Sequence, residues 1–181
     1  MDYKDNIITL KDGRKALLRA PKAEDAAEMI AYLQKTSEET PFLLRDPSEP
    51  LISAEQEEKY LNGILASDNN LMIVCEIDGR IAGNCQISFN SRIKKRHRAS
   101  VAIAILKEYW ALGIGTAMFK EMIMAAKGRQ IMQLELEFIE GNDRAKHLYE
   151  KMGFRIVSEK PNALRLNDGT ILKEFFMIKE L

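Results

Sequence analysis

Apolar and polar positions along this chain switch between a two-residue and a helical period, and the clearest switch lies between Arg98 and Thr116. Val101, Ile103 and Ile105 alternate with Ser100, Ala102 and Ala104, which predicts a strand with one bulky and one small face. Lys107 to Leu112 then turn into Gly113-Ile114-Gly115-Thr116. Beyond it Ala117, Met118, Met122, Ile123 and Ala126 recur at helical spacing. The pattern is strand, glycine turn, helix.

The rest of the chain reads by the same two periods. After a polar, acidic opening (MDYKDN), Lys15–Arg19 predicts a first strand ended by Ala20-Pro21. Asp25 starts a helix to about Lys35, with Ala26, Met29, Ile30 and Leu33 on one face. Glu38 to Pro50 reads as a loop around Phe42-Leu43-Leu44, of a length that is often functional. Ser53 and Gln56 form a capping-box pattern for a second helix through Tyr60 and Leu61 to about Leu65. Leu71–Ile77 and Ile81–Asn90 flank Asp78-Gly79, a hairpin signal.

Past the glycine turn, Met132, Leu134, Leu136 and Phe138 alternate with Gln133, Glu135 and Glu137 as a further strand. Asn142 to Gly153 reads as a capped amphipathic helix: Ala145, Leu148, Tyr149 and Met152 form its stripe and Gly153 its stop. Phe154–Val157, Ala163–Leu166 and Ile171–Ile178 close the chain as strands, with a break at Pro161-Asn162 and a turn at Asn167-Asp168-Gly169.

Composition narrows the classes. A chain of 181 residues with 46% hydrophobic residues suits a single domain over residues 1–181. Twenty-seven basic residues balance 27 acidic ones, so no global field favours nucleic acid or an anionic membrane. The basic run Lys94-Lys95-Arg96-His97-Arg98 lies roughly 25 Å along the strand from Gly113, and reads as a solvated hairpin tip. The hairpin register sets Cys75 opposite Ala82 and Cys85 opposite Met72, too far apart for a disulfide. Reduced thiols, no run near the roughly 20 apolar residues of a membrane span, and no leader pattern give a cytoplasmic expectation. Cysteines and histidines are too few and wrongly spaced for a metal site, so none is expected.

Candidate chemistry concentrates at the glycine turn. A helix start carries unpaired N–H groups and about half a positive charge, and Gly113 and Gly115 let an anion approach the main chain. Trp110-Ala111-Leu112-Gly113-Ile114-Gly115 resembles the acetyl-CoA motif Gln/Arg-x-x-Gly-x-Gly/Ala of the GCN5-related N-acetyltransferase (GNAT) family, with Trp110 in the Arg/Gln position. Asn142-Asp143-Arg144-Ala145-Lys146-His147-Leu148-Tyr149-Glu150-Lys151-Met152-Gly153-Phe154 is similar to that family's second hallmark, Asn-x-x-Ala-x-x-Leu-Tyr-x-x-x-Gly-Phe.

The resemblance implies an α+β fold, with a central, mostly antiparallel sheet of about seven strands flanked by about four helices. It implies acetyl-CoA as co-substrate, a primary amine of a small molecule or peptide as acceptor, and direct attack in a ternary complex. Carried over by position, it implies that Ile103, Ile105, Leu112, Gly113, Ile114, Gly115, Thr116 and Asn142 hold the cofactor and that Tyr149 protonates the departing thiolate. A phenol near pKa 10 is a competent donor to a thiolate near 8.5. Backbone N–H groups near Ile105 would hold the oxyanion. Relatives also commonly dimerise. Where the family often places a Glu on the strand, Ser100 stands, so the base is unassigned. Glu135 and Glu137 are the candidates, with His97 behind them, and a cationic acceptor drawn by these or by the loop acids is the corresponding expectation.

Two other readings compete. A dinucleotide-binding unit also places Gly-x-Gly between strand and helix, but Met118 replaces its third glycine and the preceding strands form a hairpin. The absent Glu also motivates a catalytically idle acyl-CoA-binding or regulatory module on the same fold.

Overall fold

A computed structural model describes residues 3–181; Met1 and Asp2, the first residues of the acidic opening, lie outside it. The strands are β1 (Asn6–Thr9), β2 (Lys15–Arg19), β3 (Asn70–Ile77), β4 (Arg80–Phe89), β5 (Arg98–Ile105), β6 (Gln133–Ile139), β7 (Arg155–Arg165) and β8 (Ile171–Glu180). The helices are α1 (Ala26–Glu39), α2 (Ala54–Ala66), α3 (Ile114–Gly128) and α4 (Asp143–Lys151). The strands form one sheet in the order β1-β2-β3-β4-β5-β6-β8-β7. Every neighbouring pair is antiparallel except β5 and β6.

Each face of the sheet has its own core. Ala26, Met29, Tyr32, Leu61 and Ile64 of α1 and α2 pack on Met72, Val74 and Ile81. Ile114, Met118, Phe119, Met122 and Ala126 of α3 pack on Ile73, Cys75, Cys85, Ile87 and Val101 on the other side. β3 is therefore covered on both faces, which explains why Leu71-Met72-Ile73-Val74-Cys75 is apolar without alternation.

The sheet has eight strands where about seven are expected: β1 follows directly on the polar opening, and NIIT is four residues long, alternates too briefly to register, and leaves Ile7 exposed on the sheet edge. The first helix runs to Glu39, four residues beyond Lys35. Its inward face includes Tyr32, Thr36 and Ser37, whose hydroxyls are satisfied by hydrogen bonds, so polar residues extend the buried stripe. The capping box of α2 forms as expected: Gln56 N–H donates to Ser53 Oγ at 3.2 Å and Ser53 N–H to Gln56 Oε1 at 2.9 Å.

The Asp78-Gly79 turn has positive φ at both residues, 52° and 76°, as a two-residue hairpin requires. A bulge between Cys75 and Glu76 then shifts the pairing, so Cys75 faces Gly83 instead of Ala82, and Cys85 faces Ile73 instead of Met72. Both thiols are buried and free. Pro161-Asn162 does not end its strand. β7 continues through an irregularity there, with Asn162 at φ 53°.

One buried polar cluster ties α1 to the sheet. Arg19 of β2 forks onto Asp25 (Nη1–Oδ2 2.7 Å, Nη2–Oδ1 2.9 Å) and its Nε donates to Glu76 at 2.7 Å. Lys22 N–H adds a 2.7 Å bond to Asp25 Oδ2. Burial alone would raise the Asp25 pKa; the Arg19 fork and the Lys22 amide outweigh it and hold the carboxyl below its ordinary range. The resulting stabilisation is complete above the unfolded-state pKa of about 4 and is lost as pH falls through the lower folded value. Asp25→Ala leaves Arg19 with Glu76 as its one carboxylate partner, beside the Ala20 carbonyl, and should cost about 3–5 kcal/mol. Denaturant titrations at pH 7 and pH 3 check this, and the variant should lose less stability than the parent on acidification.

Candidate functional site

The site exists because β5 and β6 part. They pair in parallel only at Arg98↔Gln133, Ala99↔Leu134 and Ser100↔Glu135. Past that point β5 stays bonded to β4 as far as Ile105, and β6 stays bonded to β8 as far as Ile139. A cleft of about 740 Å³ opens between them, bounded by Ile103–Ile105, the start of α3, the start of α4 and the Phe42-Leu43 loop.

The end of β5 is held from several sides. Tyr32, deep under the sheet, donates to Ala104 O at 2.8 Å and accepts from Asn84 N–H at 3.2 Å. Its hydroxyl pKa is raised by burial, so it stays a donor. Gly83, paired with Ile105, admits no side chain: a Cβ there would lie 2.9 Å from Ala104 O. The strand edge is thereby fixed while its inner side faces the cleft.

The turn after β5 is compact and strained. Trp110 Nε1 donates to Ile105 O at 2.7 Å, Ala111 sits at φ 65° and Gly113, the cap of α3, at φ 97°. A non-glycine residue in that region costs of order 1–3 kcal/mol, and such strain gathers where backbone groups must be aimed at a ligand. The first turn of α3 carries no acidic residue, leaving its open N–H groups to an anion. At Gly115 a Cβ would meet Leu148 Cδ2 at 2.7 Å, so the glycine lets α3 and α4 close together beneath the cleft.

Of the residues expected at the cofactor site, Ile103, Ile105, Gly113, Ile114, Gly115, Thr116, Asn142 and Tyr149 line this cleft. Leu112 does not. It packs against the core, and its carbonyl accepts Lys11 N–H at 3.1 Å, closing the turn from behind. Asn142 caps α4, its Oδ1 accepting Ala145 N–H at 3.2 Å. Tyr149 is 7% exposed and packs edge-on against Phe119 and Phe138. Its hydroxyl has no hydrogen-bond partner among the described residues, and burial pushes its pKa up to about 12.

The base candidates sit elsewhere. Glu135 is buried but committed: Arg98 Nη1 and Gln133 Nε2 each donate to its Oε1 at 2.8 Å. It belongs to the paired stretch of β5 and β6, below the opening. Glu137 is exposed and lines neither cleft described here. Lys94, Lys95, Arg96 and His97 form an exposed turn, as the solvated-tip reading expects, whereas Arg98, the last of the basic run, opens β5 and pairs with Glu135.

Sequence reasoning passed over several lining residues. Lys11, Arg144, His147 and Lys151 give the cleft a basic rim. Arg144 lies 4.6 Å over the Trp110 ring, so the indole that replaces the family's Arg or Gln holds a guanidinium contributed by α4. Glu39 also lines the cleft, its carboxylate accepting Lys107 N–H at 2.6 Å. A second cleft, of about 580 Å³, meets the first at Leu43, Ile103 and Ala104 and runs along the small face of β5 under α1 and α2. It contains Glu57, whose position one turn before Leu61 and two before Ile64 puts a carboxylate on the buried stripe of α2. That spacing was legible in the sequence. Among the described residues no cluster of His, Cys, Asp and Glu could hold a metal ion.

The geometry agrees with what is found among known proteins. The profile of the Acetyltransferase (GNAT) family matches residues 29–154. An acetyltransferase of the GNAT family from Streptococcus pneumoniae shares 32% identity and a TM-score of 0.84, covering 92% of this chain and 99% of its own. A putative acetyltransferase from Salmonella typhimurium, solved with its cofactor acetyl-CoA, is 15% identical with a TM-score of 0.78, covering 92% of this chain and 94% of its own, a likeness of fold. An N-alpha-acetyltransferase of Sulfurisphaera tokodaii is 33% identical over 97 residues, 46% of this chain and 56% of that protein. The matches span about half the length of the curated relatives. By family profile and by structure alike, this chain belongs to the GNAT family of acetyltransferases.

Proposed function

We propose that this chain is an acetyl-CoA-dependent N-acetyltransferase that acts on a primary amine by direct attack in a ternary complex. The observation that carries the reading is the parting of β5 from β6 beside the open start of α3, with the unpartnered Tyr149 hydroxyl on the same cleft. The residues present suit the cofactor: a glycine-capped helix start for a diphosphate, a basic rim, and an exposed strand edge at Ile103–Ile105 for an extended amide-bearing arm. When bound, acetyl-CoA supplies an activated acyl group and a thiolate leaving group.

The chain's own groups divide the work. The N–H groups of Ile114, Gly115 and Thr116, with Arg144 and Lys11, receive phosphate charge. Tyr149 holds a proton for the departing sulfur. At about 12 its pKa lies above that of a thiol in water, so Tyr149 keeps its proton until charge develops on the departing sulfur. A hydroxyl with that pKa stays protonated through pH 10, so no alkaline loss of rate should trace to it.

Tyr149→Phe keeps the aromatic packing and removes the proton. It should lower kcat by about 10²-fold or more with the KM for acetyl-CoA nearly unchanged. Steady-state release of free thiol measures this, and a parent protein without turnover on any amine would instead favour the idle acyl-CoA-binding module. Arg144→Ala should weaken acetyl-CoA about tenfold and leave a phosphate-free acetyl-pantetheine unaffected, as read by calorimetry. Equal weakening of both ligands would remove Arg144 from phosphate recognition.

A further inference from the structure

Glu57 stands apart from the other buried charged side chains among the described residues. It is 2% exposed, lines the second cleft, and makes no ion pair or side-chain hydrogen bond with any described residue. The other buried charges are partnered: Arg19 with Asp25 and Glu76, and Glu135 with Arg98. Its carboxylate opens onto the cleft, partly desolvated and with no opposite charge from the protein, so a ligand that supplies one is its natural counterpart.

The surroundings say what that ligand is. Met29, Leu33, Leu43, Ile52 and Met72 form an apolar wall, Asn84 and Gln86 add neutral amides, and Glu57 is the one charged residue lining the cleft among the described residues. Tyr60 is the titratable neighbour, on the same helix, with its hydroxyl 3.1 Å from Gln86 Oε1. The residues that α1, β3, β4 and β5 contribute to the cleft lining are all neutral. This cleft joins the cofactor cleft at Leu43, Ile103 and Ala104, where β5 ends.

We propose that the second cleft is the acceptor site for a single ammonium carried on an apolar body, and that Glu57 pairs with this ammonium and takes its proton. The inference rests on the acetyltransferase reading and deepens it. An N–H bond of the ammonium breaks, an O–H bond forms on Glu57, and the lone pair stays on nitrogen as the nucleophile. The proton then passes to solvent. Desolvation already raises the Glu57 pKa, so its carboxylate is a stronger base than a surface glutamate. This fills the role that Ser100 leaves open, from a helix instead of from the strand. It also replaces the acidic loop, Glu135 and Glu137 as the source of cation preference.

The test compares the parent with Glu57→Gln. The acceptors are apolar monoamines such as phenethylamine and hexylamine, dipeptide amides with an apolar N-terminal residue, spermidine, and an aminoglycoside. One of the first two classes should give the highest kcat/KM, and the better of the two tells a free amine from a peptide N-terminus. Glu57→Gln should lower kcat/KM for that acceptor about 10²-fold or more, abolish its acid limb, and leave the calorimetric Kd for acetyl-CoA unchanged. Stability gives a readout free of activity. A raised folded-state pKa means the charged form is disfavoured, so above it Glu57→Gln should melt higher than the parent, with the difference vanishing near pH 4. A tenfold preference for the polycations, a variant within threefold of the parent, or a variant that melts lower at pH 8 overturns the proposal. If the parent binds no acetyl-CoA, the acetyltransferase reading fails as well. If it binds and acetylates but Glu57→Gln is silent, only the role of Glu57 falls.

Discussion

The parallel junction between β5 and β6 is three residues long, and the rest of the molecule is arranged around that brevity. Each strand has a better partner on its far side: β5 lies against β4 over seven pairs, and β6 against β8 over seven. Once those antiparallel ladders are fixed, the two halves of the sheet diverge. The unpaired edge would be a liability if it stayed open to solvent or to another chain. Here α3, α4 and the Phe42-Leu43 loop surround it and turn it into a lined cleft.

Support for that opening is distributed across the fold. Tyr32 reaches up from α1 to hold Ala104, Gly83 lets β4 lie close, and Trp110 ties the turn back to Ile105. Phe119 and Phe138 meet the Tyr149 ring edge-on and Phe154 lies tilted against it, and together they set its orientation. Small side chains on the other face of β5 leave the second cleft where α1 and α2 arch over it. The two compartments therefore meet at one strand end from opposite faces of the sheet.

Much of this was legible in the residues. The glycine turn, the α2 capping box, the Asp78-Gly79 hairpin and the capped α4 helix follow local rules, so periodicity and turn chemistry find them. What escaped was set by contacts distant in sequence. The bulge at Cys75 depends on how β3 sits between two neighbours, and β1 is stabilised by β2 and by the bond from Asn6 to Glu121. Glu135 stands on a polar strand face in the sequence, and only the fold brings in its partner Arg98, 37 residues earlier. Arg144 was hidden inside a motif that explains it as a helix residue, and only its stacking on Trp110 reveals a place at the rim.

The two cysteines carry a last implication. Any disulfide in solution captures an accessible thiolate. With Cys75 pushed up to about 12, only on the order of one molecule in 10⁵ carries it ionised at neutral pH, and the buried Cys85 is shifted in the same direction. Burial beneath α3 thus keeps both thiols out of exchange with disulfides in solution, without removing sulfur from the core.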